Sequence, residues 1–192
     1  MLIKPRSALL TDIPTSVVIG DDKKAEFYPQ IKAEFWSNQC NFSLRLNEDI
    51  DSATVEDVDG VVTWSKGSKS ARIEPERIVV VLQSRPDSNV VEFTIQTKGL
   101  EFYLQDPDVI YAEFPDANVP DRVKYSYAVY HANKQGNEYK TGQAFMLYRP
   151  EAIDANGKQV WCDQKLDVEN GTLHVTVPQD FLDTAVYPVE VA

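Results

Sequence analysis

The sequence predicts an all-β protein built as one or two β-sandwich or jelly-roll-like units with a short N-terminal arm. Three observations predict it. The last third, from Gln143 to Val191, is a run of short strand patterns around Asn170-Gly171. That dipeptide favours a type I′ hairpin, whose two central residues both need φ > 0. Arg77-Ile-Val-Val-Val-Leu-Gln83 is almost unbroken β-branched sequence, as suits a central strand buried on both faces. Turn signals recur every ~8–12 residues, the spacing of sandwiches and barrels.

Each element follows from the same reasoning. Residues 1–14 read as an arm, because Pro5 and Pro14 interrupt any helix around Leu9, Leu10 and Ile13. Thr15 to Gly20 is a short strand closed by the polar turn Gly20 to Lys24. Ile31 to Phe35 and Cys40 to Leu46 alternate apolar and polar residues, which places Phe42, Leu44 and Leu46 on one face. Asp59-Gly60, between Thr54–Val58 and Val61–Trp64, is a second type I′ signal. Val90 to Gln96 and Leu100 to Leu104 are strands around Lys98-Gly99.

Residues 106–121 are rich in Asp and Pro and read as a loop or crossover. It divides an expected β-sandwich unit at 15–105 from a second β unit at 122–192 packed on the first. Lys124 to His131 and Glu138 to Arg149 form a hairpin, and Lys158 to Val168 reads as one strand before Asn170-Gly171. Pro178 to Ala185 is a single helical turn with proline at its start, and Val186 to Val191 is the closing strand. The total is about twelve strands.

The chain has 192 residues, 43% hydrophobic, with a formal net charge of −11. That balance disfavours nucleic-acid binding, which needs surplus Lys and Arg. The tightest basic group is Lys66, Lys69 and Arg72. No apolar run approaches the roughly 20 residues of a spanning helix, and Met1 to Arg6 lacks the apolar region of a signal peptide. The expectation is a protein made in a cytoplasm, with no membrane partner. Cys40 and Cys162 read as reduced thiols, and no Cys or His spacing suggests zinc.

Chemistry-bearing residues are sparse. His131 and His174 sit in strand patterns without a nucleophile at motif spacing. The acid groups Glu48/Asp49/Asp51, Glu56/Asp57/Asp59 and Asp106/Asp108/Asp116/Asp121 lie in hydrophilic loops, whereas a glycosidase needs one buried carboxyl to raise its pKa. Asp154-Ala-Asn-Gly157 resembles the start of a calcium loop but lacks the later acidic ligands, and it is equally a plain turn. No cofactor and no catalytic residue is expected. Trp36, Trp64 and Tyr130 are candidates for a ligand surface, because exposed aromatics stack on sugars or partner proteins. Leu9, Leu10 and Ile13 are candidates for assembly through the arm.

Four blocks carry a family resemblance: Lys32 to Leu46, Phe93 to Tyr103, Ser126–His131 with Gly136–Phe145, and Tyr148–Lys158 with Phe181–Val189. Together they resemble a group of uncharacterised proteins of tailed bacteriophages and prophages, encoded among virion structural genes. Many members continue past the equivalent of Val189 into a further β-rich region. The resemblance implies a non-catalytic virion structural protein, made in the host cytoplasm and carried in the virion. Its expected role is a head accessory or decoration protein, with other virion proteins and copies of itself as partners. The alternative it leaves open is a tail, fibre or baseplate component that binds host surface or carbohydrate.

Overall fold

The structure, a computed structural model, describes residues 3, 4, 14–134 and 142–192. The chain opens with β1 (Ile3–Lys4) and β2 (Ser16–Ile19), and alternation builds β3 (Gln30–Phe35) and β4 (Cys40–Leu46). Ile31, Ala33 and Phe35 of β3, with Phe42, Leu44 and Leu46 of β4, enter the core. Their neighbours along each strand face outward, as a period of two requires. A meander follows: β5 (Thr54–Val58), β6 (Val61–Lys66), β7 (Lys69–Glu74) and β8 (Arg77–Leu82). Asp59 and Gly60 are both left-handed, at φ 52° and 81°, as the type I′ reading expects.

Next come β9 (Val90–Lys98), β10 (Leu100–Leu104), α1 (Pro107–Glu113), β11 (Tyr127–His131) and β12 (Gln143–Leu147). The chain closes with β13 (Glu151–Ile153), β14 (Gln159–Trp161), β15 (Asp163–Asp167), β16 (Thr172–Thr176), α2 (Gln179–Thr184) and β17 (Val189–Val191).

The strands make three antiparallel sheets. One has six strands in the order β15-β16-β9-β4-β3-β2, one has seven in the order β14-β13-β17-β8-β7-β6-β5, and one has four in the order β1-β12-β11-β10. β3 lies over β7 and β8, and β10 lies against β4. The inner faces meet in one core that draws on all three sheets, including Leu44, Val80 and Phe145. This is an all-β, sandwich-like fold.

The sheets do not divide the chain at residues 106–121. β16 pairs with β9, and β17 pairs with β8. With β10 pairing β11 as well, the expected units at 15–105 and 122–192 share all three sheets. Backbone pairing is non-local, and strand periodicity carries no record of which partner a strand takes.

Two residues turn the chain from one sheet into another. Gly99, at φ 66°, bends β9 of the six-stranded sheet into β10 of the four-stranded sheet. A Cβ there would lie 2.7 Å from the Gln39 carbonyl oxygen, so the corner requires glycine. Cys162 interrupts what reads as one strand over 158–168, sending β14 and β15 into different sheets. Its N–H donates to the Pro150 carbonyl at 2.9 Å, and its own carbonyl accepts from Arg149 Nε at 3.1 Å.

The Asn170-Gly171 turn differs from the type I′ expectation. Only Gly171 is left-handed, at φ 67°. Asp167 captures the Asn170 backbone N–H at 3.0 Å and its side-chain amide at 2.7 Å, which holds a longer loop between β15 and β16.

β8 is buried on both faces, as its composition suggests. Ile78, Val80 and Leu82 face the core. On the outer face, Arg72 pairs in register with Val79 and Glu190 with Val81. Arg72 donates to both Glu190 oxygens, at 2.8 and 3.1 Å, so the stems of this ion pair roof the two valines.

Candidate functional site

Of the three aromatics expected at a ligand surface, Trp64 is buried in the core at 1% exposure, which corrects that expectation. It shares a cross-strand row with Ala71 and Val80, and the small Ala71 beside it leaves room for the indole. Tyr130 is half-buried and meets Tyr103 edge-on at 5.7 Å. Trp36 is half-buried at a different place, on the β3–β4 turn. The three do not form one platform. Leu9, Leu10 and Ile13 lie outside the described residues.

Trp36, Ser37 and Asn38 are consecutive left-handed residues, at φ 48°, 51° and 66°. Each non-glycine residue held there costs roughly 1–2 kcal/mol, so neighbouring contacts must hold the turn. Asn41 Nδ2 donates to Asn38 Oδ1 at 2.8 Å, and Lys98 Nζ donates to the Asn38 carbonyl at 2.8 Å. The Trp36 ring meets His131 edge-on at 5.0 Å. His131 is buried, with Nδ1 accepting from the Asn133 N–H at 3.0 Å and Nε2 lying 3.2 Å from Gln39 Oε1. Those partners fix the neutral tautomer with its proton on Nε2. Burial, and then the Lys134 charge, lowers the His131 pKa. Every polar atom of this imidazole has a structural partner, so His131 serves the turn.

The remaining candidates resolve into surface or structural roles. His174 Nε2 lies 3.7 Å from Glu92 Oε1 on an outer sheet face. The basic group reads as three ion pairs: Lys66 with Asp49, Lys69 with Glu48, and Arg72 with Glu190. Asp106 caps α1, accepting from the Asp108 N–H at 2.9 Å. Burial raises the Cys40 thiol pKa and pushes Cys162 up to about 12.

Asp154 is a clamp for the chain itself. Its Oδ1 accepts from the N–H groups of Asn156 and Lys158, each at 2.9 Å, and its Oδ2 accepts from Val186 at 3.1 Å. The Val186 bond foremost, then those from Lys158 and Asn156, hold its carboxyl below the usual range. Among the described residues no group of three His, Cys, Asp or Glu side chains is placed to hold a metal ion.

Among the described residues, two surfaces stand out. The first is the excursion between β10 and β11, expected as a loop and in fact carrying α1. Its ends are sewn together: the Gln105 N–H donates to the Ser126 carbonyl and the Tyr125 N–H to the Gln105 carbonyl, each at 2.8 Å. Of α1 only Pro107 is buried. Leu104, Val109 and Phe114 stand 48%, 63% and 55% exposed. Asp106, Asp108, Glu113, Asp116 and Asp121 share the segment with Val109 and Phe114, with no Lys or Arg between residues 105 and 121. A helix with apolar side chains and almost no packing against its own fold lacks a covering surface. Asp106-Pro107 was a legible helix start, a capping carboxylate followed by proline.

The second is a groove of about 490 Å³ over the outer face of the six-stranded sheet. Val18, Lys32, Ser43 and Gln96 form its floor, and the Gly20–Lys24 turn forms its wall.

No protein-family model, no curated protein and no solved structure matches this chain.

Proposed function

We propose that this chain is a non-catalytic virion structural protein of a tailed phage, acting by assembly on the particle as a head accessory or decoration protein. The observation that carries the assembly reading is the acidic excursion, whose Leu104, Val109 and Phe114 stand in solvent on a rigid β-scaffold. Loops held by such a scaffold are where binding residues concentrate. The resemblance of four sequence blocks to phage and prophage proteins supplies the virion context. Its partners are other virion proteins and copies of itself, and the symmetry of a particle multiplies weak contacts by avidity.

The test combines light scattering behind size-exclusion chromatography with rebinding to phage heads that lack the protein. The wild-type chain rebinds heads. The variant Val109→Asp/Phe114→Asp keeps its fold, because both side chains are exposed, and loses rebinding. A variant that rebinds like wild type, or a wild-type chain that ignores heads, overturns the head reading.

A second reading, a tail, fibre or baseplate component that contacts the host surface, is favoured by the groove over the six-stranded sheet. Its polar floor suits a hydroxyl-rich ligand.

A further inference from the structure

We infer that the groove over the six-stranded sheet binds an acidic saccharide, a hydroxyl-rich ring bearing a carboxylate; this deepens the second reading above. The floor comes from register. Val18 pairs with Lys32, Lys32 with Ser43, and Ser43 with Gln96. These four side chains therefore form one row across β2, β3, β4 and β9. Neighbouring strands lie about 4.8 Å apart, a spacing comparable to the repeat of linked pyranose rings. Asn41, on the same face two residues before Ser43, extends the floor. Apart from Val18, the row offers amide, hydroxyl and ammonium groups, which pair with sugar hydroxyls rather than with an apolar ligand.

The wall is fastened. Gly20 N–H donates to the Gln30 carbonyl at 2.7 Å, and Gln30 Nε2 returns a bond to the Gly20 carbonyl at 3.1 Å. Arg45 Nε donates to Gln30 Oε1 at 2.8 Å, and the Arg45 guanidinium pairs with Asp21. Asp21 Oδ1 also accepts from the Lys23 N–H at 3.1 Å. A backbone bond to Lys23, then the Arg45 hydrogen bond and charge, hold the Asp21 carboxyl below its usual range. Its negative charge is thus matched inside the wall. Ser43 is buried beneath the wall although it lies on an outward sheet face.

Charge selects the ligand. The groove lining carries Lys23, Lys24 and Lys32 against Asp21 and Asp22. Asp21 is matched by Arg45 and Lys32 pairs with Glu34 at 3.6 Å, which leaves Lys23 and Lys24 against Asp22, a positive rim within a chain of net charge −11. Lys23 and Lys24 are exposed at the rim, where an anionic substituent of a ring on the floor meets them. The volume far exceeds that of a single small anion.

The experiment is a titration of the full chain, followed by amide NMR shifts, with glucuronate, glucose and inorganic phosphate in parallel. Glucuronate perturbs the amides of Lys32, Ser43 and Gln96, and does so about fivefold more tightly than glucose, the yield of one or two exposed charge contacts. In Lys23→Glu/Lys24→Glu that preference disappears while amides away from the groove keep their positions. Perturbation by phosphate equal to that by glucuronate shows an anion site only and overturns the saccharide assignment. Absence of groove shifts with glucuronate, or an unchanged preference in the double variant, overturns it as well. If the groove binds glucuronate but the sugar leaves phage adsorption to its host unaffected, the second reading fails while the site stands.

Discussion

Truncating Phe145 tests whether the four-stranded sheet is part of the same core as the sandwich. Phe145 is fully buried on β12. Its ring stacks on Phe35 of β3 at 5.4 Å and is tilted against Phe42 of β4 at 5.2 Å. Phe145→Ala removes the ring and leaves a cavity, at a cost of about 3–5 kcal/mol for a buried phenylalanine. Two ring pairs, each contributing about 0.5–1.5 kcal/mol beyond area, put the expected loss near the top of that range. Since a domain is stable by only about 5–15 kcal/mol, Phe145→Leu is the companion variant. It keeps most of the apolar volume, forfeits the ring pairs, and loses about 1–3 kcal/mol. The assay is urea unfolding read by tryptophan fluorescence and by far-UV circular dichroism. Both midpoints shift together and the slope is unchanged. A loss below about 1 kcal/mol for Phe145→Ala, or two separated transitions, refutes the single core.

Further outcomes follow from the strained turn, the buried imidazole and the carboxylate clamp. Gly99→Ala forces a methyl group against the Gln39 carbonyl at a left-handed position, whereas Ser37→Gly relieves one; the first lowers the thermal midpoint and the second adds about 0.5–1 kcal/mol. The folded pKa of His131 lies below its unfolded value, so the unfolded state takes up the proton first. Stability is unaffected above the unfolded pKa of about 6.5, falls as the pH drops below it, and levels off below the folded pKa; His131→Gln flattens that slope in unfolding curves. The folded pKa of Asp154 is also depressed, so its linkage has the same sign as that of His131. Its contribution is present above the unfolded pKa and is lost as the pH falls through the folded pKa, so Asp154→Ala lowers the neutral-pH midpoint and weakens the acid limb.

The residues that fit a local rule were legible without the fold. Alternation marks Phe42, Leu44 and Leu46 as one face, and they enter the core together. Asp59-Gly60 is read correctly: both residues take φ > 0, and the bond from the Gly60 N–H to Asp57 Oδ1 at 3.0 Å leaves that turn in place. Asn170-Gly171 carries the same signal, yet Asp167 supplies hydrogen bonds that favour a different loop. Trp36 and His131 are both visible as residues, but nothing local places one ring against the other, because their contact joins the β3–β4 turn to β11.

What the sequence by itself determined is the class of the protein: strands, their apolar faces, the central position of β8 and the short C-terminal helix α2. Those depend on the period of side chains along one segment and on the conformational limits of Gly, Pro and Asn. The tertiary structure alone decided that strands from the two ends of the chain share sheets, that Trp64 is buried while Phe114 is bare, and that Val18, Lys32, Ser43 and Gln96 line one groove. Each of those depends on pairing between distant segments. A strand's periodicity states which residues share a face; the partner found in the folded chain settles what that face meets.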